Sequence, residues 1–430
     1  MAETSGPAEI DVTELDAFVD EAAEIGLHSH SQRNAFLLSR HIAYETAANG
    51  GSAADPFAAE YANRVVRQWQ RIAGRNEYEV TLEHDTNIVA DERQLQHLYP
   101  FSSRDTRFIA EYWIGVYAAM KLLSDAPNRS VVEYGVGWGN TTCAMLQSGY
   151  DVLGVDIDEK WLRLAELRAD QLMVREALQT HHGVFGDLPD DGKRYGAVFF
   201  YECFHHALRH DEVLDRITRR LADGGVIVLA AEAIYPNFPI EWGVRQDGHS
   251  LWAIRRFGWM ELGFSEDYII RLMRRHNLAL SRHSCPEAGA FGVAYRARLE
   301  RTGVALGHTL LTSSETGFHA PESDGAIATR FTDGDARLEV PCGAGTFTLE
   351  LKNWLNVPLD CELSVDGNIR WQGTVSPTEQ KQITLDGASR GYYQVVRIRS
   401  DSHVPRALGI NDDSRTLGIA LGHLRLSKPT

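Results

Sequence analysis

Apolar residues recur at helical spacing in the first third of the chain. They gather into short solid runs in the middle and alternate with polar residues in the last quarter. Val12, Leu15, Phe18, Val19, Ala22 and Ile25 predict a helix that Gly26 stops. A second helical segment runs from Arg33 to Ala48, ended by Gly50-Gly51. The third runs from Pro56 to Ile72, with Phe57, Tyr61, Val65, Trp69 and Ile72 on one face and Gly74 as its cap. Residues 1–100 read as a helical N-terminal region, which serves either to cover an active site or to pair with another subunit, as in a homo-oligomer. A fourth helix is predicted over Asp105 to Leu123, striped by Phe108, Tyr112, Val116, Ala119 and Leu123.

The pattern then changes to strand, Gly-rich turn, helix, strand. Val131-Val132 opens it, and Glu133-Tyr134-Gly135-Val136-Gly137-Trp138-Gly139-Asn140 turns into a helix from Thr141 to Gln147. A second apolar run, Val152 to Ile157, carries an acid, Asp156. Glycines suit a tight turn that a ligand approaches closely, and the acid can accept bonds from ribose hydroxyls. This is a nucleoside-binding βαβ unit. A helix over Glu159 to Gln179, a strand over His181 to Phe185 and the fully apolar strand Tyr195 to Tyr201 continue a doubly wound sheet. A helix over Phe264 to His276 and strands over Leu278 to His283 and Phe291 to Arg298 close it.

The spacing E-x-G-x-G-x-G from Glu133 resembles the first motif of class I S-adenosylmethionine-dependent methyltransferases. Gly154-Val155-Asp156-Ile157-Asp158 resembles their second motif, and Gly186-Asp187-Leu188 their adenine-contacting motif. Leu221-Ala222-Asp223-Gly224-Gly225 resembles the turn before their fifth strand, with Asp223 where proline is usual. The resemblance implies a Rossmann-like, seven-stranded sheet over residues 101–303 and EC 2.1.1 chemistry. The implied cofactor is S-adenosyl-L-methionine, leaving as S-adenosyl-L-homocysteine. Its implied contacts are Glu133, Gly135, Gly137, Gly139, Asn140, Thr141, Asp156, Ile157, Asp187, Leu188 and Tyr201. Tyr99, Phe101 and Tyr112, just before the first motif, could line that pocket or pack their helix on the sheet.

Ligands of open α/β sheets sit beyond the carboxyl ends of the strands, so the tip of Tyr195 to Tyr201 carries the chemistry. There stand Glu202, His205 and His206, the candidates for taking up the proton of an acceptor hydroxyl. Two adjacent histidines point in different directions, so one base is expected, His206 ahead of His205. Nothing else at recognisable spacing completes a metal site with them, and none is expected. A long aromatic insertion follows Glu232. Tyr235, Glu241, Trp242, Arg245 and Trp252 make it a candidate acceptor platform, with ring faces for sugars and charges for hydroxyls, or else a lid or satellite core.

After Gly303 the alternation of Phe347 to Leu351, Glu362 to Val365 and Tyr393 to Ile398 predicts an all-β sandwich over residues 315–430. Its turns are expected at Asp333-Gly334, Gly343-Ala344-Gly345, Asp366-Gly367 and Asp386-Gly387. The end, with Pro405, Asp413, Arg415, Leu417 and Gly418, is similar to tails of bacterial polysaccharide glycosyltransferases, and Asp413 and Arg415 are expected to form an internal ion pair. That similarity points to a glycan or glycoconjugate acceptor. A small non-carbohydrate metabolite and a non-catalytic glycan-binding scaffold are the alternatives. Net charge of −16 over 430 residues argues against nucleic acid as a partner. Five cysteines without C-x-x-C spacing fit reduced thiols in a cytoplasmic protein, and no apolar run reaches the length of a membrane span.

Overall fold

The computed structural model describes residues 8–28, 30–43, 55–84, 95, 105–299, 315–319, 322–323, 328–341, 346–386 and 393–427. The chain divides into two compact units, residues 1–269 with 285–294 and residues 270–284 with 295–430.

In the first unit, α1 (Leu15–His28) buries Leu15, Phe18, Val19 and Ala22 and runs through Gly26, where a stop was expected. An interior glycine costs a helix only about 1 kcal/mol, which packing against α2 (His30–Leu38) offsets; Phe18 and Phe36 stack at 5.4 Å. α2 ends earlier than expected because Arg40–His41 leaves to pair with Ala8–Glu9. α3 (Ala59–Ala73) buries Tyr61, Val65, Trp69 and Ile72, and Gly74 closes it in the left-handed conformation, φ 66°. The side chain of Asp105 caps α4 (Thr106–Lys121), accepting from the N–H groups of Arg107 and Phe108. Tyr99 and Phe101 lie outside the described residues.

Five parallel strands follow: β1 (Ser130–Tyr134), β2 (Asp151–Asp156), β3 (Leu178–His182), β4 (Tyr195–Tyr201) and β5 (Leu221–Ala230). Their order is β3-β2-β1-β4-β5, so the chain reverses direction across the sheet between β1 and β4. That reversal leaves a crevice at the carboxyl ends of β1 and β4. Helices α5 (Asn140–Gln147), α6 (Glu159–Gln171) and α7 (His210–Thr218) make the crossovers. α6 stops eight residues short of Gln179, and β3 therefore starts earlier than expected: Leu178 pairs with Val152, and the pairing is used up at Asp156 and His182.

After β5 the aromatic insertion folds as a small sheet of β6 (Ile234–Tyr235), β7 (Trp242–Val244) and β8 (Leu262–Ser265), with α8 (Gly248–Phe257). The N-terminal helices pack on it. The Tyr61 hydroxyl donates to the Trp242 carbonyl at 2.9 Å, the Trp69 indole to the Trp259 carbonyl at 3.0 Å, and Arg255 grips Asp16 with two 2.7 Å bonds. Gly248 is required there, since a Cβ would lie 2.0 Å from the Leu37 carbonyl oxygen.

α9 (Glu266–Arg275) leads into the second unit. It starts two residues later than expected because Phe264 is held in β8. The expected closing strands form as β9 (Leu278–Ser284) and β10 (Val293–Leu299), neighbours in one sheet. β11 (Glu315–Phe318) runs parallel to β9, followed by β12 (Glu322–Ser323), β13 (Ala328–Pro341), β14 (Thr346–Lys352), β15 (Leu359–Val365), β16 (Asn368–Val375), β17 (Gln380–Asp386), β18 (Tyr393–Ser400) and β19 (Ala420–Ser427). The long strand β13 pairs with β18 along one stretch and β19 along another, so the sheet folds over on itself. Phe347, Leu349, Leu351, Leu363, Val365, Val396 and Ile398 fill the space it encloses.

Asp366-Gly367 makes the expected tight turn, with φ of 46° and 76°. Asp333-Gly334 does not. It lies inside β13, where Gly334 at φ 105° sits near the register shift against β11. The Gly343-Ala344-Gly345 turn and Gly387 lie outside the described residues. Arg415 bonds Asp413 through two nitrogens and reaches Glu322 at 2.7 Å, the internal ion pair expected of the tail.

Candidate functional site

The Gly-rich turn leaves β1 with Gly135, Gly137 and Gly139 all at positive φ, 69°, 49° and 71°. Two of them are glycine for packing: a Cβ on Gly135 would meet Cys203 at 2.8 Å, and one on Gly139 would meet the Ala165 backbone at 2.9 Å. Gly137 differs. Its nearest neighbour would be the Gly135 carbonyl oxygen at 4.0 Å, so it borders open space that packing does not explain. Such a position suits a ligand that lies against the backbone.

Two buried carboxylates brace this turn. Glu133 accepts from the hydroxyls of Thr141 and Thr142 at the start of α5. Burial pushes its pKa up to about 7, the threonine bonds opposing and the Asp156 charge assisting. Asp156 accepts from the Gly137 N–H at 3.2 Å and the Asp158 N–H at 2.9 Å. Burial raises it to about 6 against those bonds. Asp156 thus ties the second motif to the central glycine of the first. Asn140 accepts from Arg168 at 2.7 Å and faces the Tyr112 hydroxyl at 3.4 Å. The Tyr201 hydroxyl donates to the Tyr112 carbonyl. Ile157 and Leu188 are half-buried. The Asp187 side chain accepts from the Val184 N–H and pairs with Arg216, while its carbonyl accepts from Tyr134.

At the tip of β4, Glu202 has a left-handed backbone, φ 53°, which a non-glycine residue adopts only under constraint. Its side chain reaches solvent yet is closely surrounded by protein atoms. Burial, then the carboxylates of Glu232 and Glu261, push its pKa up to about 8.

The two histidines sit on the single turn Phe204–His206, with ring centroids 4.4 Å apart. Each has a carboxylate on Nδ1. His205 Nδ1 bonds Glu232 Oε2 at 2.8 Å, and its Nε2 stands 3.8 Å from Glu261 Oε2. His206 Nδ1 lies 3.0 Å from Glu83 Oε2. Burial alone would lower the His206 pKa; Glu83, with Glu261 and Glu232, outweighs it and lifts the pKa to about 9. Glu232 also accepts from the backbone N–H groups of Cys203, Phe204 and His205. Burial would raise its pKa, and the His205 ring with those N–H groups holds it below the ordinary range instead.

The insertion is less of an open platform than its sequence suggests. Trp242 is 3% exposed, its ring against Tyr61 and His210 and its indole N–H spent on the Pro56 carbonyl. Trp252 is half-buried under the Arg33 guanidinium. Both pack rather than present a face. Tyr235 is 42% exposed and stacks on Phe238. Glu241 is half-buried. Arg245 is fixed by Asp247 at 2.9 Å and Glu261 at 3.6 Å, charges that outweigh burial and raise its pKa.

Sequence reasoning missed Glu83 and Glu261, and named Glu232 only as the residue before the aromatic insertion. Glu232 had a signal: it follows β5 at the same carboxyl edge as Glu202. Glu83 and Glu261 had none, since loops far apart in sequence deliver them.

Residues 132–229 match the family model of a methyltransferase domain. The chain is 29% identical over 103 residues to the ubiquinone biosynthesis O-methyltransferase of Psychrobacter arcticus, covering 24% of this chain and 40% of that protein. It is 28% identical over 112 residues to the demethylmenaquinone methyltransferase of Tropheryma whipplei, covering 26% and 45%. The chain therefore spans about half or less of these relatives' own length. Among solved structures, a putative O-methyltransferase from Nostoc punctiforme aligns with a TM-score of 0.39 at 14% identity, over 57% of this chain and 70% of that one. The matched segment runs from β1 to β5 and holds the open glycine and its bracing acids, so residues 132–229 are a methyltransferase domain with S-adenosylmethionine as its cofactor.

Proposed function

We propose that this protein O-methylates a sugar hydroxyl of a glycan or glycoconjugate. The observation that carries the reading is the open space at Gly137 beside Asp156, one strand from the solvent-facing Glu202, where the strand order reverses. Gly135, Gly137, Gly139, Asn140, Thr141 and Ile157 would shape the cofactor pocket, with Glu133 and Asp156 as its acids and Asp187, Leu188 and Tyr201 at its edge. When bound, the cofactor supplies an electrophilic methyl group on a positively charged sulfonium.

Glu202 is the group we assign to accept the acceptor's proton, which it can do once ionised, near pH 8 and above. It faces solvent at the strand tip, and its constrained backbone fixes where the carboxylate can reach. His205 and His206 position groups around it. His206 pairs with Glu83, which favours the imidazolium, and an imidazolium accepts no proton. Tyr235 supplies the exposed aromatic face for a sugar ring, and Glu241 and Arg245 supply hydroxyl partners. The tail similarity around Pro405, Asp413 and Arg415 supports a glycan setting. A phenolic acceptor is the second reading, favoured by the quinone-pathway names of the relatives.

The test is calorimetric titration with S-adenosylhomocysteine, then incubation of the methyl donor with mannosides, glucosides, rhamnosides and phenols, read by mass. Binding and a one-methyl gain on a sugar is the expected result. Gain on phenols alone would refute the sugar assignment, and absence of binding would refute the whole reading.

A further inference from the structure

The polar cluster beyond β4 has more acid than a proton acceptor needs. Glu83, Glu202, Glu232 and Glu261 surround two imidazoles, with Arg245 the guanidinium paired into them, itself shared with Asp247. A divalent cation would offset this negative charge.

We propose that His205, His206 and Glu261 bind a divalent metal ion of the zinc class, His206 releasing its ring proton to solvent as the ion binds. One ligand atom from each lies within 4.8 Å of the others. Metal bonds of about 2.0–2.2 Å set neighbouring ligands of a tetrahedron about 3.4 Å apart, so the 3.8 Å between His205 Nε2 and Glu261 Oε2 is already near that spacing. The His206 ligand atom, within 4.8 Å of the other two, closes the rest of the gap as the ion binds.

The outer contacts are those a metal site requires. A ligating histidine holds its other ring nitrogen on a carboxylate, which fixes the tautomer and aims the free nitrogen. Glu232 does this for His205 at 2.8 Å and is itself held by three backbone N–H groups. The Arg245 side chain, 3.6 Å from Glu261, orients the third ligand. Two imidazoles and one carboxylate suit zinc, cobalt or iron, and three protein ligands leave a position open for an oxygen. A metal-held acceptor hydroxyl would release its proton more readily, the proton passing to Glu202. That use rests on the proposed function; the site itself does not.

The experiment uses the full chain, stripped with EDTA and freed of chelator. Cobalt chloride is titrated while the visible absorption bands of bound Co(II) are followed, and zinc chloride is titrated by calorimetry. One equivalent should bind. Glu261→Gln and His205→Gln should each weaken binding at least a hundredfold, and Glu232→Gln about 10–100-fold. S-adenosylhomocysteine affinity and circular dichroism check that each variant is folded. Absence of stoichiometric binding by the wild-type chain would overturn the proposal. So would equal metal affinity in the wild type and both ligand variants. S-adenosylhomocysteine binding is read separately, so loss of the metal proposal and loss of the methyltransferase reading are told apart.

Discussion

Replacing Glu133 with glutamine tests how the cofactor turn stores charge. The Glu133 carboxyl is 1% exposed, and its pKa rises from 4.5 to about 7, burial being the largest cause. A folded-state pKa above the unfolded one means the native state binds the proton more tightly. The contribution of Glu133 is therefore fully present below about pH 4.5 and is lost as pH rises through 7. The rise from 4.5 to about 7 corresponds to roughly 3 kcal/mol between those limits. Glu133→Gln has no such titration. It also exchanges one acceptor for a donor opposite Thr141 and Thr142, a cost that does not depend on pH. The stability of the variant relative to the wild type should thus improve by roughly 3 kcal/mol from pH 4 to pH 8, whatever its absolute value.

Hydrogen exchange of the β1 and β2 amides reads this unit alone. The protection ratio of variant to wild type should grow by roughly 300-fold over that pH range, a factor in which intrinsic exchange rates cancel. Asp156 titrates in both proteins, so its part of the pH dependence largely cancels, apart from its coupling to the Glu133 charge. In the same samples, S-adenosylhomocysteine should bind the variant at least tenfold more weakly, since the acid is retained for its ligand at the expense of stability. A protection ratio that stays flat with pH would refute the reasoning, because it would mean that the threonine hydroxyls hold Glu133 ionised despite burial.

Gly137→Ala should leave the domain folded at a cost of about 1–2 kcal/mol for the left-handed backbone, yet abolish S-adenosylhomocysteine binding in calorimetry. Gly139→Ala should instead lower the melting temperature through its clash with Ala165. Asp156→Ala should weaken cofactor binding by roughly 1–3 kcal/mol; unchanged affinity would remove its ribose role. Glu202→Gln should lower kcat about 10²–10⁴-fold with cofactor affinity unchanged, measured by single-turnover mass shift. In the second unit, Arg274→Met breaks a buried pair with Glu339, 2.6 Å apart, and should cost that unit about 3–5 kcal/mol in hydrogen exchange of β13 and β18.

The Gly-rich turn and the strands around it were legible because local physics dictates them. Apolar runs bound β1, β2 and β4, and a turn that needs three left-handed residues announces itself through Gly135, Gly137 and Gly139. Boundaries set by pairing were not legible. α6 ends where β3 must begin opposite Val152, which no periodicity in Glu159 to Gln179 reveals. Asp333-Gly334 reads as a turn by composition, but pairing along both halves of β13 keeps it inside a strand. Trp242 and Trp252 carry the same letters whether they stack on a sugar or on Tyr61 and Arg33, and only the packing of α1 to α3 decides.

That packing explains why the partners of His205 and His206 resisted sequence reading. His205 and His206 are adjacent, yet their partners come from three separate loops. Glu232 follows β5, Glu261 precedes β8, and Glu83 ends a turn after the N-terminal helices. Glu83 is held there by the Tyr78 hydroxyl at 2.8 Å and the Met260 N–H at 2.7 Å, and Tyr78 leans edge-on against the buried Trp69 of α3. The hydrophobic face of α3 therefore helps hold Glu83 beside His206. A domain spanning only residues 132–229 contains both histidines but none of the three acids. The Gly-rich turn and its bracing acids lie within that domain, whereas the polar cluster at the tip of β4 exists only where the helical preface and the insertion meet.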